Sequence, residues 1–101
     1  MVDVSFFESR KIKKIAVYGM DTKGKKLYEA LLRMGLEVIG IEKLSYARDN
    51  NYDVYYMHEE EIPETDAVVI VPEREFDFIK WELYNFISDR CKVLRMSEIY
   101  V

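Results

Sequence analysis

Residues 14–42 decide the fold, and they read KIAVYGMDTKGKKLYEALLRMGLEVIGIE. The apolar run Lys14–Tyr18 suits a strand that is buried on both faces, as the strands of parallel sheets are. After a glycine turn, apolar residues recur at helical spacing through Lys23–Met34, and a second glycine follows as a C-terminal stop. Glu37–Glu42 has the composition of a second buried strand. The stretch therefore predicts a strand–helix–strand unit with a right-handed crossover.

The rest of the chain supplies three further strands and a second long helix. Short apolar runs bounded by turn-forming residues predict the strands. They are Asp53–Met57, Ala67–Val71 and Lys92–Arg95, and the predicted helix is Glu73–Asp89. Alternating strands and helices are typical of a parallel sheet with helices on its faces. We therefore predict one α/β, Rossmann-like domain over residues 1–101, with a five-stranded, mostly parallel sheet in the order 3-2-1-4-5 flanked by helices.

Three segments lie outside these predicted elements. Residues 1–11 form a lead-in whose Phe6 and Phe7 are apolar enough to dock on the body of the domain. Ser45–Asn51 is a polar, turn-rich loop, and Ser97–Val101 is a last turn. The link between the third and fourth strands has only about eight residues, which reach about 26 Å at ~3.3 Å each. This link must therefore cross the sheet nearly extended, without a helix.

Composition and charge argue against several classes of protein. The 101 residues suffice for one domain, with no basic leader before an apolar stretch and no apolar run of the ~18 residues that a membrane helix needs. The single cysteine, Cys91, has no internal disulfide partner and fits a reducing cytoplasm. Residues 1–26 carry seven Lys or Arg against three Asp or Glu, whereas residues 27–101 carry eight against sixteen. Because phosphate contacts dominate nucleic-acid affinity, this acidic excess argues against a nucleic-acid partner.

The turn after the first strand resembles a dinucleotide-binding motif. The motif reads G-x-G-x-x-G, and the chain has Gly19-Met20-Asp21-Thr22-Lys23-Gly24. Glu42 ends the second strand, where an acid that binds ribose is expected. Asp21 replaces the central glycine; its charge repels phosphate, and its carboxylate is able to cap the helix N–H groups that would hold one. Two interpretations stay open: these seven residues form a nucleotide site, or the glycines only allow tight strand–helix packing.

Longer segments of the chain resemble a known family. They are Lys14–Gly19, Gly24–Leu31, Gly35–Glu42, Glu61–Pro72 and Val93–Ile99. Residues 12–100 thereby resemble a small Rossmann-like, NAD(P)-binding-like domain of bacterial surface-polysaccharide biosynthesis proteins, similar to the N-terminal domain of sugar acyltransferases. The resemblance implies a link to bacterial glycan biosynthesis. We predict a stand-alone accessory module that binds a partner protein, or a nucleotide such as NAD(P) or a nucleotide-sugar. The alternative is an NAD(P)-dependent oxidoreductase or a component of a nucleotide-sugar-modifying enzyme.

The sequence offers no strong catalytic or metal-binding pattern. It has no G-x-S-x-G nucleophile motif, and Cys91 and His58 form a catalytic pair only if folding brings them together. Glu59-Glu60-Glu61 beside His58 is interpreted as a solvated acidic loop, because adjacent loop residues seldom converge on one ion. We therefore assign no catalytic residue and no metal ligand, and we leave open whether the chain is an enzyme.

The predicted second helix carries more aromatic residues than its core-facing side needs. At about 100° per residue, that side holds Phe76, Ile79, Leu83, Phe86 and Ile87. Phe78 and Trp81 fall on the opposite side, with Tyr84 between Trp81 and the core-facing residues. Large aromatic side chains rarely stay in water without a reason. Phe78 and Trp81 therefore predict either an interface, most simply that of a homodimer, or a surface covered by the lead-in.

Overall fold

The structure is a computed structural model that describes residues 1–44 and 49–100. Residues 45–48 of the predicted loop Ser45–Asn51, and residue 101 of the predicted last turn, lie outside the described residues. The elements, in chain order, are α1 (Val4–Ser9), β1 (Lys14–Tyr18), α2 (Thr22–Arg33), β2 (Glu37–Glu42), β3 (Val54–Tyr56), β4 (Ala67–Ile70), α3 (Phe76–Leu83), β5 (Lys92–Arg95) and α4 (Met96–Ile99).

The five strands form one sheet in the order β3-β2-β1-β4-β5, and every pair of neighbouring strands is parallel. This arrangement confirms the predicted fold class and strand order. β1 lies at the centre, where Val17 is level with Gly40 of β2 on one side and Val69 of β4 on the other. Because other elements cover both faces, β1 and β4 are almost wholly apolar and buried.

The core consists of two layers, one on each face of the sheet. Helices α1, α2 and α4 cover the first face, where Leu27 and Leu31 of α2 pack in one cluster with Phe7 of α1. Helix α3 and the segment after β3 cover the second face, where Ile79 and Leu83 of α3 pack. The order of the strands and the sides taken by the helices place the glycine turn at the carboxyl edge of the sheet.

The lead-in is more ordered than the sequence predicts, because it contains the helix α1. Asp3 caps this helix by accepting a hydrogen bond from the Ser5 N–H at 3.1 Å, and the Asp3 N–H donates to the Ile99 carbonyl at 2.7 Å. Phe6 and Phe7 are both buried, which confirms that they dock on the body. They do so on the face of the sheet that carries α2 and α4, away from α3.

Helix α3 is shorter than the predicted span Glu73–Asp89. It starts only at Phe76 and ends at Leu83, and turns follow. Asn85 marks the change, since its side-chain amide donates to the Glu82 carbonyl at 3.3 Å and its own N–H bonds to that carbonyl at 3.1 Å. Such local hydrogen bonds of Asn compete with a continuing helix. The prediction extended too far because the apolar residues beyond Leu83 still pack on the core, although they do so from turns.

The link from β3 to β4 follows the expected course. A turn at residues 57–59 opens it, and residues 61–65 have no regular secondary structure. Ile62 packs against the core layer under α3. The link thus crosses β2 and β1 without a helix, as its short length requires, and it does so on the side of the sheet where α3 lies.

Candidate functional site

The two glycines of the turn are both required for packing. Gly19 has a positive φ of 97°, and a Cβ at that position would lie 3.0 Å from Cδ of Pro72. A Cβ at Gly24 would lie 1.7 Å from the Gly19 carbonyl oxygen, which no side chain tolerates. The structure therefore supports the interpretation that these glycines allow β1 and α2 to approach closely.

Asp21 caps α2 with its own carboxylate. Its Oδ1 accepts a hydrogen bond from the Gly24 N–H at 2.9 Å. This N–H belongs to the first turn of the helix, where the unpaired N–H groups of a dinucleotide-binding turn meet phosphate. Thr22 and Lys23 follow with exposed side chains. The position that would receive a phosphate is thus occupied by an anion of the protein itself.

Glu42 is also engaged within the turn. Its Oε1 accepts a hydrogen bond from the Met20 N–H, so this carboxylate holds the turn against the end of β2. The side chain of Met20 is buried and lies over Gly40, where a Cβ would come within 2.7 Å of Met20 Cγ. The structure thus brings Met20, Asp21 and Glu42 together with the two glycines, and both carboxylates accept hydrogen bonds from backbone N–H groups of the turn.

A cavity of about 270 Å³ lies beside this turn at the carboxyl edge. Lys25 Nζ on its wall lies 3.2 Å from Asp49 Oδ2 and 5.4 Å from the centre of the Tyr52 ring. The Asn51 N–H, and then Lys25, hold the pKa of Asp49 below its ordinary value. Among the described lining residues, the carboxylates of Asp21, Glu42 and Asp49 face a single ammonium group. This balance of charge disfavours a phosphate in the cavity.

A polar cluster around Glu82 was not predicted from the sequence. Glu82 Oε2 lies 3.4 Å from Lys43 Nζ and 3.5 Å from His58 Nε2. Its Oε1 is buried without a hydrogen-bond partner in the part of the chain that the structure describes. The three residues are far apart in sequence and share no motif spacing, so only the fold reveals the cluster. It ties α3 to the segments that follow β2 and β3, and so fixes the orientation of that helix.

Cys91 and Tyr18 carry reactive groups in unreactive surroundings. Cys91 opens β5 at the amino edge, whereas His58 follows β3 at the carboxyl edge, so the structure does not bring this pair together. Burial raises the pKa of the Cys91 thiol, whose Sγ lies 3.5 Å from Thr65 Oγ1. Burial, and then the charge of Glu82, raises the pKa of Tyr18 to about 12. Both groups are therefore held in their neutral, weakly nucleophilic forms at neutral pH.

The outer side of α3 exposes three aromatic residues, which we call the aromatic face. Phe78 is 66% exposed, Trp81 70% and Tyr84 42%. The rings of Trp81 and Tyr84 meet edge to face with their centres 5.6 Å apart. Phe6 and Phe7 pack on the other side of the sheet, so the alternative in which the lead-in covers this surface is wrong.

Comparison of the chain with protein-family models, curated proteins and solved structures finds no match. Within residues 1–44 and 49–100, no group of three or more His, Cys, Asp or Glu side chains is placed to hold a metal ion. The helices of these same residues include none that is long and apolar enough to span a membrane. Fold and site together define an α/β, Rossmann-like domain whose dinucleotide-type turn is closed by its own carboxylates and whose α3 displays an aromatic face.

Proposed function

We propose that this domain is a binding module that associates with a second copy of itself through the aromatic face. The exposure of Phe78 and Trp81, at 66% and 70%, carries the proposal. Burying a large apolar side chain contributes about 1.5–3 kcal/mol. A partner surface over these rings therefore gains free energy that an isolated chain leaves unrealised.

The spacing of the aromatic face suits a two-fold contact. Phe78 and Tyr84 each stand three residues from Trp81, on opposite sides of it in the sequence. Two α3 helices packed antiparallel, with the axis at Trp81, would set each Phe78 against the Tyr84 of the other copy. A two-fold dimer uses the same patch on both subunits, so a patch with this internal symmetry is self-complementary. Central aromatic residues of this kind are typical binding hot spots.

The charges around the aromatic face are of both signs. Asp77 has a side chain that is 85% exposed and lies 3.7 Å from Arg95 Nη2. Lys43 Nζ lies 5.4 Å from the centre of the Phe78 ring. Because the surface carries both signs of charge, two copies of it do not repel each other strongly when they meet. This mixture favours a self-contact over a partner with a strong charge of one sign.

Two observations support a binding role over the alternative of an NAD(P)-dependent enzyme. Asp21 and Glu42 occupy N–H groups that a dinucleotide phosphate would need. Cys91 and Tyr18, two buried groups with nucleophilic or acid–base chemistry, have raised pKa values, which disfavour their reactive, ionised forms. A nucleotide or nucleotide-sugar at the glycine turn is therefore less favoured than a protein contact through α3.

The experiment is sedimentation velocity of the native chain beside a Phe78→Ser/Trp81→Ser double variant over a wide range of concentrations. We expect the native chain to dimerise as concentration rises and the double variant to stay monomeric with an unchanged circular dichroism spectrum. Leu32→Ser is the matched control, because Leu32 is 47% exposed on α2, on the other side of the sheet. This control should dimerise like the native chain.

Two results would contradict the proposal. One is a native chain that stays monomeric at the highest concentration, which would leave the aromatic face to another protein, such as the glycan-building enzyme that the family resemblance implies. The other is a double variant that dimerises as well as the native chain, which would place the contact elsewhere on the surface.

A further inference from the structure

The amino edge of the sheet, opposite the glycine turn, holds a second cavity, which we call the basic cleft. Its volume is about 570 Å³, and it opens where β1, β4 and β5 begin. Six cationic and two acidic side chains line it, namely Arg10, Lys11, Lys13, Lys14, Arg90 and Lys92 with Glu64 and Asp66. The lining thus has a surplus of four positive charges, in a chain whose formal net charge is −4.

Most of these cations are free to bind a ligand. Lys11, Lys13, Arg90 and Lys92 are exposed, and none of them forms a salt bridge within the part of the chain that the structure describes. Lys14 does pair with Glu37, at 3.6 Å, but both side chains are more than half exposed. Exposed pairs of this kind are worth about 0–1 kcal/mol, so an anionic ligand is able to replace the glutamate.

Of the two acidic side chains of the cleft, Asp66 is engaged by the backbone. Asp66 Oδ2 accepts hydrogen bonds from the N–H groups of Lys13 at 2.9 Å and Lys14 at 3.0 Å. These bonds, that from Lys14 first, hold the pKa of Asp66 below its ordinary value. The carboxylate therefore acts as a clamp that fixes the start of β1 and holds both lysines at the rim.

Lys11 occupies a backbone conformation that favours glycine. Its φ is +56°, and it ends α1 through two bonds, from its own N–H to the Glu8 carbonyl and from the Ile12 N–H to the Phe7 carbonyl. Helices commonly end this way with glycine at the left-handed position, because an L side chain there is strained. Strain of this kind tends to be retained where the side chain has a use. Here the strained residue adds a cation to the cleft.

We propose that the basic cleft binds a small ligand with a diphosphate group, of which a nucleoside diphosphate is the representative class. A cavity of this volume is within the ~300–1,000 Å³ typical of small-molecule sites. The cations at the starts of β1 and β5 are two strand spacings apart, about 9.5 Å, so they flank a diphosphate from both sides. The ligand site then lies at the edge of the sheet opposite the one that α/β folds usually use.

The experiment is isothermal titration calorimetry of the native chain with inorganic pyrophosphate and, separately, with UDP, at low and at physiological salt. We expect both ligands to bind, with affinities that fall as salt rises because the contacts are exposed. Tighter binding of UDP would show that the nucleoside also contacts the cleft, whereas equal affinities would assign the site to the diphosphate alone.

Two variants and one control locate the site. Lys13→Gln/Lys92→Gln should weaken pyrophosphate binding about tenfold, since each exposed charge contact contributes up to about a factor of five. Lys11→Gly should weaken binding as well, while it raises Tm by about 4–8 °C through relief of strain. Lys23→Gln/Lys26→Gln removes the same charge at the glycine turn and should leave the affinity unchanged.

Several outcomes would overturn the proposal. The native chain could fail to bind pyrophosphate at millimolar concentration and low salt. The Lys13→Gln/Lys92→Gln variant could bind as the native chain does, or the control at the glycine turn could lose affinity instead. A Lys11→Gly variant that is more stable yet binds pyrophosphate as tightly as the native chain would contradict the argument that strain at Lys11 is retained for the ligand.

Discussion

At the scale of single residues, two carboxylates bond to backbone N–H groups of the turn after β1. Asp21 bonds to the Gly24 N–H, and Glu42 bonds to the Met20 N–H. Removal of a side-chain cap costs about 1 kcal/mol. We therefore expect Asp21→Ala to lower the free energy of unfolding by this amount in urea titrations, with Lys26→Ala on the exposed side of α2 as a neutral control. Equal stability of native chain and Asp21→Ala would contradict the capping role.

A substitution at Gly24 should destabilise the fold more than the loss of the Asp21 cap does. A Cβ at this position meets the Gly19 carbonyl oxygen at 1.7 Å, and this oxygen belongs to backbone that cannot rotate away. Overpacking costs about 1–3 kcal/mol even where side chains give way, so we expect Gly24→Ala to lose about 3 kcal/mol or more. Thermal unfolding followed by circular dichroism measures the loss. A variant that melts at the native temperature would show that the turn is looser than the structure indicates.

Asp66 makes stability depend on pH in one direction. Its folded-state pKa is lowered, so the stabilisation is present above the unfolded value of about 3.9 and is lost as pH falls through the folded value. At neutral pH, the native chain should therefore have a higher free energy of unfolding in urea than Asp66→Asn. The two free energies should converge as pH falls into the acid range. A difference that stays constant down to strongly acidic pH would assign the effect to packing and not to charge.

At the scale of elements, the short helix α1 buries its aromatic side chains, whereas the longer α3 exposes aromatic side chains on its outer side. Phe7 in the short lead-in helix is only 2% exposed, whereas Phe78 in the longer α3 is 66% exposed. We expect Phe7→Ala to cost about 3–5 kcal/mol of folding free energy. Phe78→Ala should change the stability of the monomer by less than about 0.5 kcal/mol. Denaturant titrations at low protein concentration make this comparison, and similar losses in both variants would contradict the assignment of the two faces.

The sequence predicts the sheet well because the strands are buried on both faces and read as continuous apolar runs. The strands Lys14–Tyr18, Glu37–Glu42 and Lys92–Arg95 have the predicted bounds, and Phe78 and Trp81 of α3 are exposed as the helical periodicity indicates. The six residues of α1 are too few for a periodic signal, and the end of α3 depends on hydrogen bonds of Asn85 that periodicity does not register.

The candidate sites are harder to predict from the sequence, because most of their residues come from separate segments of the chain. The glycine turn was recognisable as a motif, and the capping by Asp21 was anticipated from local spacing. The cluster of Lys43, His58 and Glu82 joins three separate segments, as does the basic cleft, which gathers residues from the starts of three strands. Convergence of this kind depends on strand order, so it becomes visible only when the sheet is assembled.

At the scale of the whole molecule, the surface divides into regions of different chemistry. The basic cleft at the amino edge has a surplus of cations, the described lining of the carboxyl-edge cavity is acidic, and the outer side of α3 exposes aromatic rings. A dimer formed through α3 leaves the basic cleft open, because the cleft lies at the starts of the strands and is lined by no residue of α3. Self-association and diphosphate binding are therefore expected to be independent, and pyrophosphate should leave the sedimentation coefficient unchanged at every protein concentration.

The fluorescence of Trp81 shows whether α3 meets a second copy of the chain. This residue is the only tryptophan, so its signal reports the proposed interface alone. With 70% of its surface exposed in the single chain, it should emit at long wavelength and be quenched readily by acrylamide in dilute solution. We expect emission to shift to shorter wavelength and quenching to weaken as concentration rises. An emission maximum and a quenching constant that stay the same from dilute to concentrated protein would contradict the account.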